Sequence, residues 1–540
     1  MILLLPILLL LIGSLAIFVL DRIRPRFDAS WLIASVSSII AWGIIIYLRL
    51  RLPTEFSFLS WDRPKLFLQG QFSFLLDYQS WPYLLSLMTI TLAVILTDAA
   101  RTRDETTPRT WSASLIISAL GLLAIQSGTA LTLMVIWVIV DFFELIHLLL
   151  STESPTFNAR IVLSFAVRTS SILILFFAII RGWQFNANLN LGQIPTNAGF
   201  FILLAAGLRL GVLPLNLPFL QEPKLSRGTG NIIRLAPVAS SLCLLARLPA
   251  DLFPENLSGW LPFLNSLLAL AALYAAFRWL SAPDEIQGRP FWIVGWAALS
   301  TASTINGIPA SSIPWGVALL LPGSLLFLYH PRIQRINFLL YLGLIGLVGL
   351  PYTTLASGWE GLVANGVTLW TFLFLLAHGI LVLGYINRAL QPGGEPRTLE
   401  SWARLVYPLG LIIIIQAMAI LAFVGWPGSR TLGRWWLAAI SNGLIIITVI
   451  FVRRFGINPP YIQLPTSSTF TRVVNWILPR LEPIFRLDWF YQALWKVVNL
   501  IGSMIKAISS IIEGDGGLLW TVLLLVLLIS LLTSVLNGLL

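Results

Sequence analysis

Runs of eighteen or more predominantly apolar residues recur from one end of this chain to the other, for example over 1–20, 130–150, 362–387 and 518–538. A run of that length suits a helix crossing the hydrocarbon core of a bilayer. Inside hydrocarbon every backbone polar group must be paired, and a helix does this segment by segment. The pattern therefore predicts an all-α polytopic membrane protein. Sixteen spans are expected, over 1–20, 31–48, 82–98, 111–127, 130–150, 160–180, 199–220, 231–249, 259–279, 291–306, 311–328, 336–356, 362–387, 404–426, 435–452 and 518–538.

Composition agrees. Hydrophobic residues make up 57% of the 540 residues and charged residues only 11%, where a soluble chain carries roughly a quarter. The net charge of +11 does not indicate nucleic acid, because the Arg and Lys residues are spread over short loops. That distribution fits the positive-inside rule. Basic residues fall in alternate connections: Arg22, Arg24 and Arg26; Arg101, Arg103 and Arg109; Lys224 and Arg227; Arg332 and Arg335; Arg388 and Arg397. The connections at 128–129, 250–258, 307–310 and 357–361 carry none. The expected orientation puts both termini outside a bacterial plasma membrane, with 49–81 as a long basic exception. The start, MILLLPILLL, has no basic leader region and reads as the first span.

Cofactor chemistry is not expected. A single cysteine, Cys243, allows no intramolecular disulfide and no cysteine cluster, and His147, His330 and His378 lie far apart. The 22 tryptophans fit interfacial belts.

Two spans carry Gly/Pro breaks, GLRLGVLPLNLP at 207–218 and GLVGLPYTTLASG at 346–358. Their prolines, Pro214 and Pro351, fall in spans seven and twelve. Broken helices at matching places in two halves point to inverted repeats with a transport site between them; ordinary kinking is the alternative. The expected organisation is 1–110 for the first three helices, 111–249 and 259–387 for two inverted five-helix repeats (spans 4–8 and 9–13), 404–452 for two more helices, 453–517 for a lateral segment and 518–540 for a last span. Within the lateral segment, 488–512 alternates apolar and polar residues at helical spacing and reads as an amphipathic interfacial helix.

Several segments in order resemble a known family. FSFLLDYQSWPYLL (72–85), LTLMVIWVIVDFFEL (131–145), GLRLGVLPLNLPFLQEP (207–223), RLAPVASSLCLLARL (234–248), WAALSTAST (296–304), GLPYTTLASGW (349–359), and DWFYQALWKVV with EGDGGLLW (488–498 and 513–520) are similar to segments of the antiporter-like membrane subunits of respiratory complex I and of multisubunit (Mrp-type) cation/proton antiporters. The long form with a lateral helix is the best match. The resemblance implies a proton or cation channel with a row of ionisable groups: Glu on span five, Lys on span seven, Lys or His on span eight, and Lys on spans eleven and twelve.

Carried over, the span-five acid is Glu144 or Asp141, between which the match does not choose. Arg209 stands at the span-seven Lys, Asn216 at the His that follows, and Arg234 near the span-eight group. Gly323 and Trp359 stand where the two later lysines belong. Arginine stays protonated and cannot cycle a proton as a desolvated lysine can.

The residues also have plainer readings. Asp141, Glu144 and His147 are edge residues if span five ends near 140, Arg209 can snorkel, and Arg234 can be a boundary charge. His378 has no ionisable neighbour in its span and is by default a hydrogen-bonded core histidine, with a proton relay as the sharper reading. A buried pair between Arg209 and Glu144, or second Asp141, is expected. The chain is expected to be a subunit that conducts or couples protons or cations beside other membrane subunits in the bilayer, without catalytic chemistry of its own. The rival reading is a degenerate, non-conducting paralogue that scaffolds such a complex.

Overall fold

The computed structural model describes residues 2–24, 30–60, 71–100, 107–151, 155–184, 189–215, 227–253, 259–329, 336–391, 401–454 and 516–537, with short stretches between 496 and 506. The expected helix at 488–512, Asn216 and His330 lie wholly or largely outside them. The contacts divide the chain into two units, 1–471 and 472–540.

The first unit is a helical assembly. Its helices are α1 (Leu5–Ile23), α2 (Ser30–Leu48), α3 (Trp81–Thr97), α4 (Pro108–Ile125), α5 (Ala130–Ser151), α6 (Pro155–Gln184), α7 (Thr196–Leu210), α8 (Thr229–Ala246), α9 (Leu261–Ser281), α10 (Glu285–Ile305), α11 (Ser312–Leu328), α12 (Phe338–Val348), α13 (Gly358–Leu362), α14 (Leu369–Ala389), α15 (Ser401–Val424) and α16 (Trp435–Arg454). The second unit contains α17 (Gly516–Asn537). Each of the sixteen expected ranges contains a helix. Among the described residues, eleven helices are long and apolar enough to cross a membrane. The chain is an integral membrane protein.

Burial separates the helices into a centre and a surround. Every residue of α3, α8 and α11 is buried, and α11 packs on both α3 and α8. Around them α1 packs on α2 and α4, α6 on α7, and α9 on α10 and α14. The outer helices keep apolar residues exposed, such as Ile12 and Leu15 on α1 and Leu173 on α6. Such faces suit lipid, since hydrocarbon solvates them without cost. In the second unit, every described residue from Trp520 to Leu532 is exposed.

Local chemistry sets the boundaries. Thr107 and Thr368 close capping boxes with Thr110 and Thr371 at the starts of α4 and α14, and Asp284 caps α10. Both expected breaks are present. α7 stops at Gly211 (φ +77°) and α12 at Gly349 (φ +68°), left-handed positions that glycine adopts without a Cβ penalty. Pro214 and Pro351 lie just beyond, outside helix.

Among the described residues, the departure from helix that the apolar-run reading misses is a hairpin within the long 49–81 connection. β1 (Thr54–Ser60) pairs antiparallel with β2 (Gln71–Leu76), in register Phe56↔Phe74 and Phe58↔Phe72. β2 is then fixed to the α4–α5 turn, with Leu75 N–H donating to Gln126 O (2.7 Å) and Gly128 N–H to Ser73 O (2.8 Å). Arg247, just after α8, clamps the same corner. It donates to Asp77 Oδ2 (3.2 Å), Ser127 O (2.7 Å) and Leu75 O (3.0 Å). Burial raises the Asp77 pKa, but the Arg247 charge and hydrogen bonds from Ser80 outweigh it and hold the carboxyl below its ordinary 3.8. A lowered carboxyl contributes stability that is complete above its unfolded pKa and is lost as pH falls through the folded value. Docking of the hairpin is therefore expected to be constant from pH 8 to 5 and to loosen only below about pH 4. Asp77→Asn should remove the contribution at every pH. Limited proteolysis of the hairpin across that range checks both; loosening near pH 6 would contradict the assignment.

Candidate functional site

Four consecutive helices build a buried ionic cluster. Asp141 and Glu144 sit three residues apart on α5 and so share a helix face. They are 2% and 5% exposed. Arg209, next to last on α7, grips Asp141 with both terminal nitrogens, Nη1 to Oδ2 at 2.7 Å and Nη2 to Oδ1 at 2.5 Å. Its guanidinium lies over the Trp137 ring, 4.5 Å from the centroid, and Trp137 in turn donates to Ser240 Oγ at 3.0 Å. Arg234 on α8 donates to Glu144 Oε1 at 3.0 Å. Arg168 on α6 bonds Glu144 Oε2 and lies 3.5 Å from Asp141 Oδ1. At about 1.5 Å per residue, all five groups fall in one layer roughly 17–24 Å from the end where α5 and α7 begin. The layer lies within α5 and α6, away from their ends, and at the broken end of α7.

The electrostatics of this layer differ from those of an acid–lysine pair. Among the described residues three guanidiniums face two carboxylates. Each carboxylate touches two arginines, and arginine does not release its proton in proteins. The arrangement can hold charge within the membrane and orient four helices; none of the arginines can supply or accept a proton.

The structure decides between readings that the sequence leaves open. Arg209 forms the expected buried pair, with Asp141, the second of the two acids, while Glu144 bonds Arg168 and Arg234. Arg234 is 5% exposed and belongs to the cluster; it is not a boundary charge. Asp141 and Glu144 are interior residues, since α5 continues to Ser151. His147 lies one turn beyond, half-buried and stacked on Phe143. Arg168 was missed by sequence reasoning. Its signal was present: a lone arginine inside the apolar run VLSFAVRTSSILILFF, where a charge is costly and so calls for a partner.

In the second half the described residues place a histidine among tryptophans. His378 on α14 is fully buried and edge-on to Trp359, Trp296 and Trp315, with centroids 5.1, 5.6 and 5.8 Å away. Its Nε2 is 3.0 Å from Leu347 O and its Nδ1 2.8 Å from Ser441 Oγ. The carbonyl can only accept, so Nε2 carries a proton, and both ring nitrogens are occupied. This is the satisfied core histidine of the plainer reading, placed apart from the α5–α8 cluster. Trp279, Trp292, Trp296, Trp315 and Trp359 continue as a bank with successive centroids 5.1–5.9 Å apart. These tryptophans are fully buried, which corrects their assignment to interfacial belts. At Gly323 the space for a side chain is taken: an added Cβ would lie 2.3 Å from Trp292 Nε1. Trp359 fills the other position where the resemblance implies lysine. No group of three His, Cys, Asp or Glu residues able to hold a metal is present among the described residues.

No protein-family model matches the chain, and no curated protein matches it. Solved structures do. A chain of the membrane-bound sulfane sulfur reductase, an archaeal respiratory membrane complex, superposes with a TM-score of 0.67 at 14% identity, covering 97% of this chain and 99% of that one. A chain of the Mrp complex from Dietzia sp. DQ12-45-1b gives 0.67 at 15% identity; it covers 99% of this chain, which spans only 63% of that longer one. A chain of respiratory complex I from Thermus thermophilus with bound aureothin gives 0.58 at 13% identity over 78% of this chain and 98% of that one. The chain therefore has the fold of these membrane-complex chains, as the resemblance of its sequence segments implies.

Proposed function

We propose that this chain is an antiporter-like subunit of a multisubunit membrane complex and that it holds its place there without conducting protons itself. The observation that carries the reading is the clasping of Asp141 and Glu144 by Arg168, Arg209 and Arg234. A proton path needs groups that change protonation at working pH; the three guanidiniums of this layer do not release theirs, and they bond both carboxylates. The tryptophan bank supports the same reading for the second half, where Gly323 and Trp359 bear no titrating group. On this view 111–249 and 259–387 are inverted repeats, the basic loops face the cytoplasm and both termini lie outside. The partners are other membrane subunits and the surrounding bilayer.

A specific observation favours conduction through the first half as a second reading. The amide groups of Gln126 and Asn231 are fully buried, and their nitrogen and oxygen atoms lack protein partners. Buried polar atoms in that state commonly mark sites for internal water. The two readings diverge on one variant. Protein in liposomes should pass protons no faster than empty vesicles, and Glu144→Gln should leave that flux unchanged while lowering the yield of folded protein. Rapid wild-type flux that Glu144→Gln abolishes would overturn the scaffold reading in favour of the second.

A further inference from the structure

A cavity of about 150 Å³ opens where α9 and α14 begin and α10 ends. Asn265, Asn306, Asn365 and Thr368 line it, over an apolar floor that includes Leu362 and Phe374. Among the described residues, none that lines it is charged. Asn265 is 5% exposed; it donates to Asn306 Oδ1 at 3.2 Å, and its own Oδ1 has no protein partner. The two buried floor residues are 3% and 1% exposed. Gly366, at φ +88°, has open space where a side chain would stand, so the mouth is unobstructed on that side.

The same helix ends carry a fringe of exposed apolar residues. Trp260 and Phe263 flank the start of α9, and Leu369 and Phe372 the start of α14; they are 57%, 53%, 67% and 61% exposed. Large apolar groups beside a tryptophan at a helix end are the signature of the membrane–water boundary. A largely apolar cavity that carries three amide side chains and opens onto an apolar fringe at that boundary matches an amphiphile, with its head at the amides and its chains along the fringe.

We infer that this cavity binds a membrane lipid with an uncharged, polyhydroxylated headgroup, of the glycosyl diacylglycerol class. Amide side chains both donate and accept hydrogen bonds, which suits hydroxyls. A phosphate head would want arginine or lysine, and the described lining residues include neither. The helix starts at α9 and α14 offer partial positive charge, but the Thr368–Thr371 capping box already occupies the second, and the C-terminal end of α10 at Asn306 opposes both. The site stands on the cavity and its fringe, and does not depend on whether the chain conducts.

Native mass spectrometry of the full chain tests this. The protein, delipidated in mild detergent, is offered monoglucosyl diacylglycerol, phosphatidylglycerol with the same acyl chains, and methyl glucoside. One glucosyl lipid should be retained at least ten-fold over phosphatidylglycerol, with methyl glucoside not retained. Asn365→Ala, on an exposed turn, and Asn265→Leu, at the cavity wall, should each lower that occupancy at least five-fold and leave non-specific lipid adducts unchanged. Equal or greater retention of phosphatidylglycerol, retention of the free sugar without the lipid, or full occupancy in Asn365→Ala each overturns the proposal. The last variant keeps the test decisive if Asn265→Leu fails to fold.

Discussion

Arg168→Leu is expected to be among the most destabilising single changes in the first half of this protein. Two effects oppose each other. Charge balance improves, because the described cluster passes from three cations against two anions to two against two. Local bonding worsens, because Arg168 bonds Glu144 Oε2 and approaches Asp141 at 3.5 Å, and leucine leaves both oxygens facing an apolar side chain. The second effect should win. Removing one partner from a buried ionic pair costs roughly 3–5 kcal/mol, whereas relief of a surplus charge is spread over several groups already in contact. Arg168→Lys should fall between the two, since an ammonium is a point charge without the fork that lets guanidinium reach two carboxylates. Cys243 supplies a reporter. It is the single cysteine, it is 2% exposed on α8, and a thiol dye reaches it only when the helices part. The leucine variant should label at a markedly lower temperature than wild type, with the lysine variant intermediate. Labelling of Arg168→Leu at or above the wild-type temperature would mean that surplus positive charge, and not bonding, governs the layer.

The helices are legible in the sequence because lipid makes a simple demand, a long apolar run with its backbone paired internally. The breaks are legible for a related reason: Gly211 with Pro214 and Gly349 with Pro351 interrupt runs that otherwise continue. The hairpin at 54–76 is less visible in a reading scaled to eighteen-residue windows, although FSF recurs in both strands at the two-residue period of a sheet. The site is only partly legible. Asp141, Glu144, Arg209 and Arg234 stand out as charges within apolar runs, but their pairing depends on helix rotation, which sequence spacing across different helices does not define. Arg168 was passed over because the family resemblance directs attention to spans five, seven and eight. The tryptophan bank was misplaced for a physical reason: indole suits both a boundary and a close-packed interior, and it is burial that separates the two.

Gly323→Lys, the change that would restore one of the lysines the resemblance implies, is expected to prevent normal folding. The obstacle is the neighbour. An added Cβ at 323 would lie 2.3 Å from Trp292 Nε1, closer than real contacts allow, and that nitrogen is tied to Leu319 O at 2.9 Å. Trp292 is itself packed against Trp279 and Trp296, with centroids 5.1 and 5.2 Å away, so it has no empty side to move into. Overpacking alone costs about 1–3 kcal/mol, and Gly323→Ala should show that much. Lysine adds a charge to a helix in which every residue is buried, where an unpaired charge costs several kcal/mol more. A side chain at 323 and the indole of Trp292 thus compete for the same space, and accommodating one requires changing the other. Trp292→Ala should be destabilised on its own by the cavity it leaves, by about 3–5 kcal/mol. Gly323→Ala combined with Trp292→Ala should be less destabilised than the sum of the two, because the added methyl enters vacated space. Thermal labelling of Cys243 across the four proteins measures that coupling directly. Strict additivity would mean that the indole yields elsewhere than at Gly323, and the steric account of position 323 would then fail.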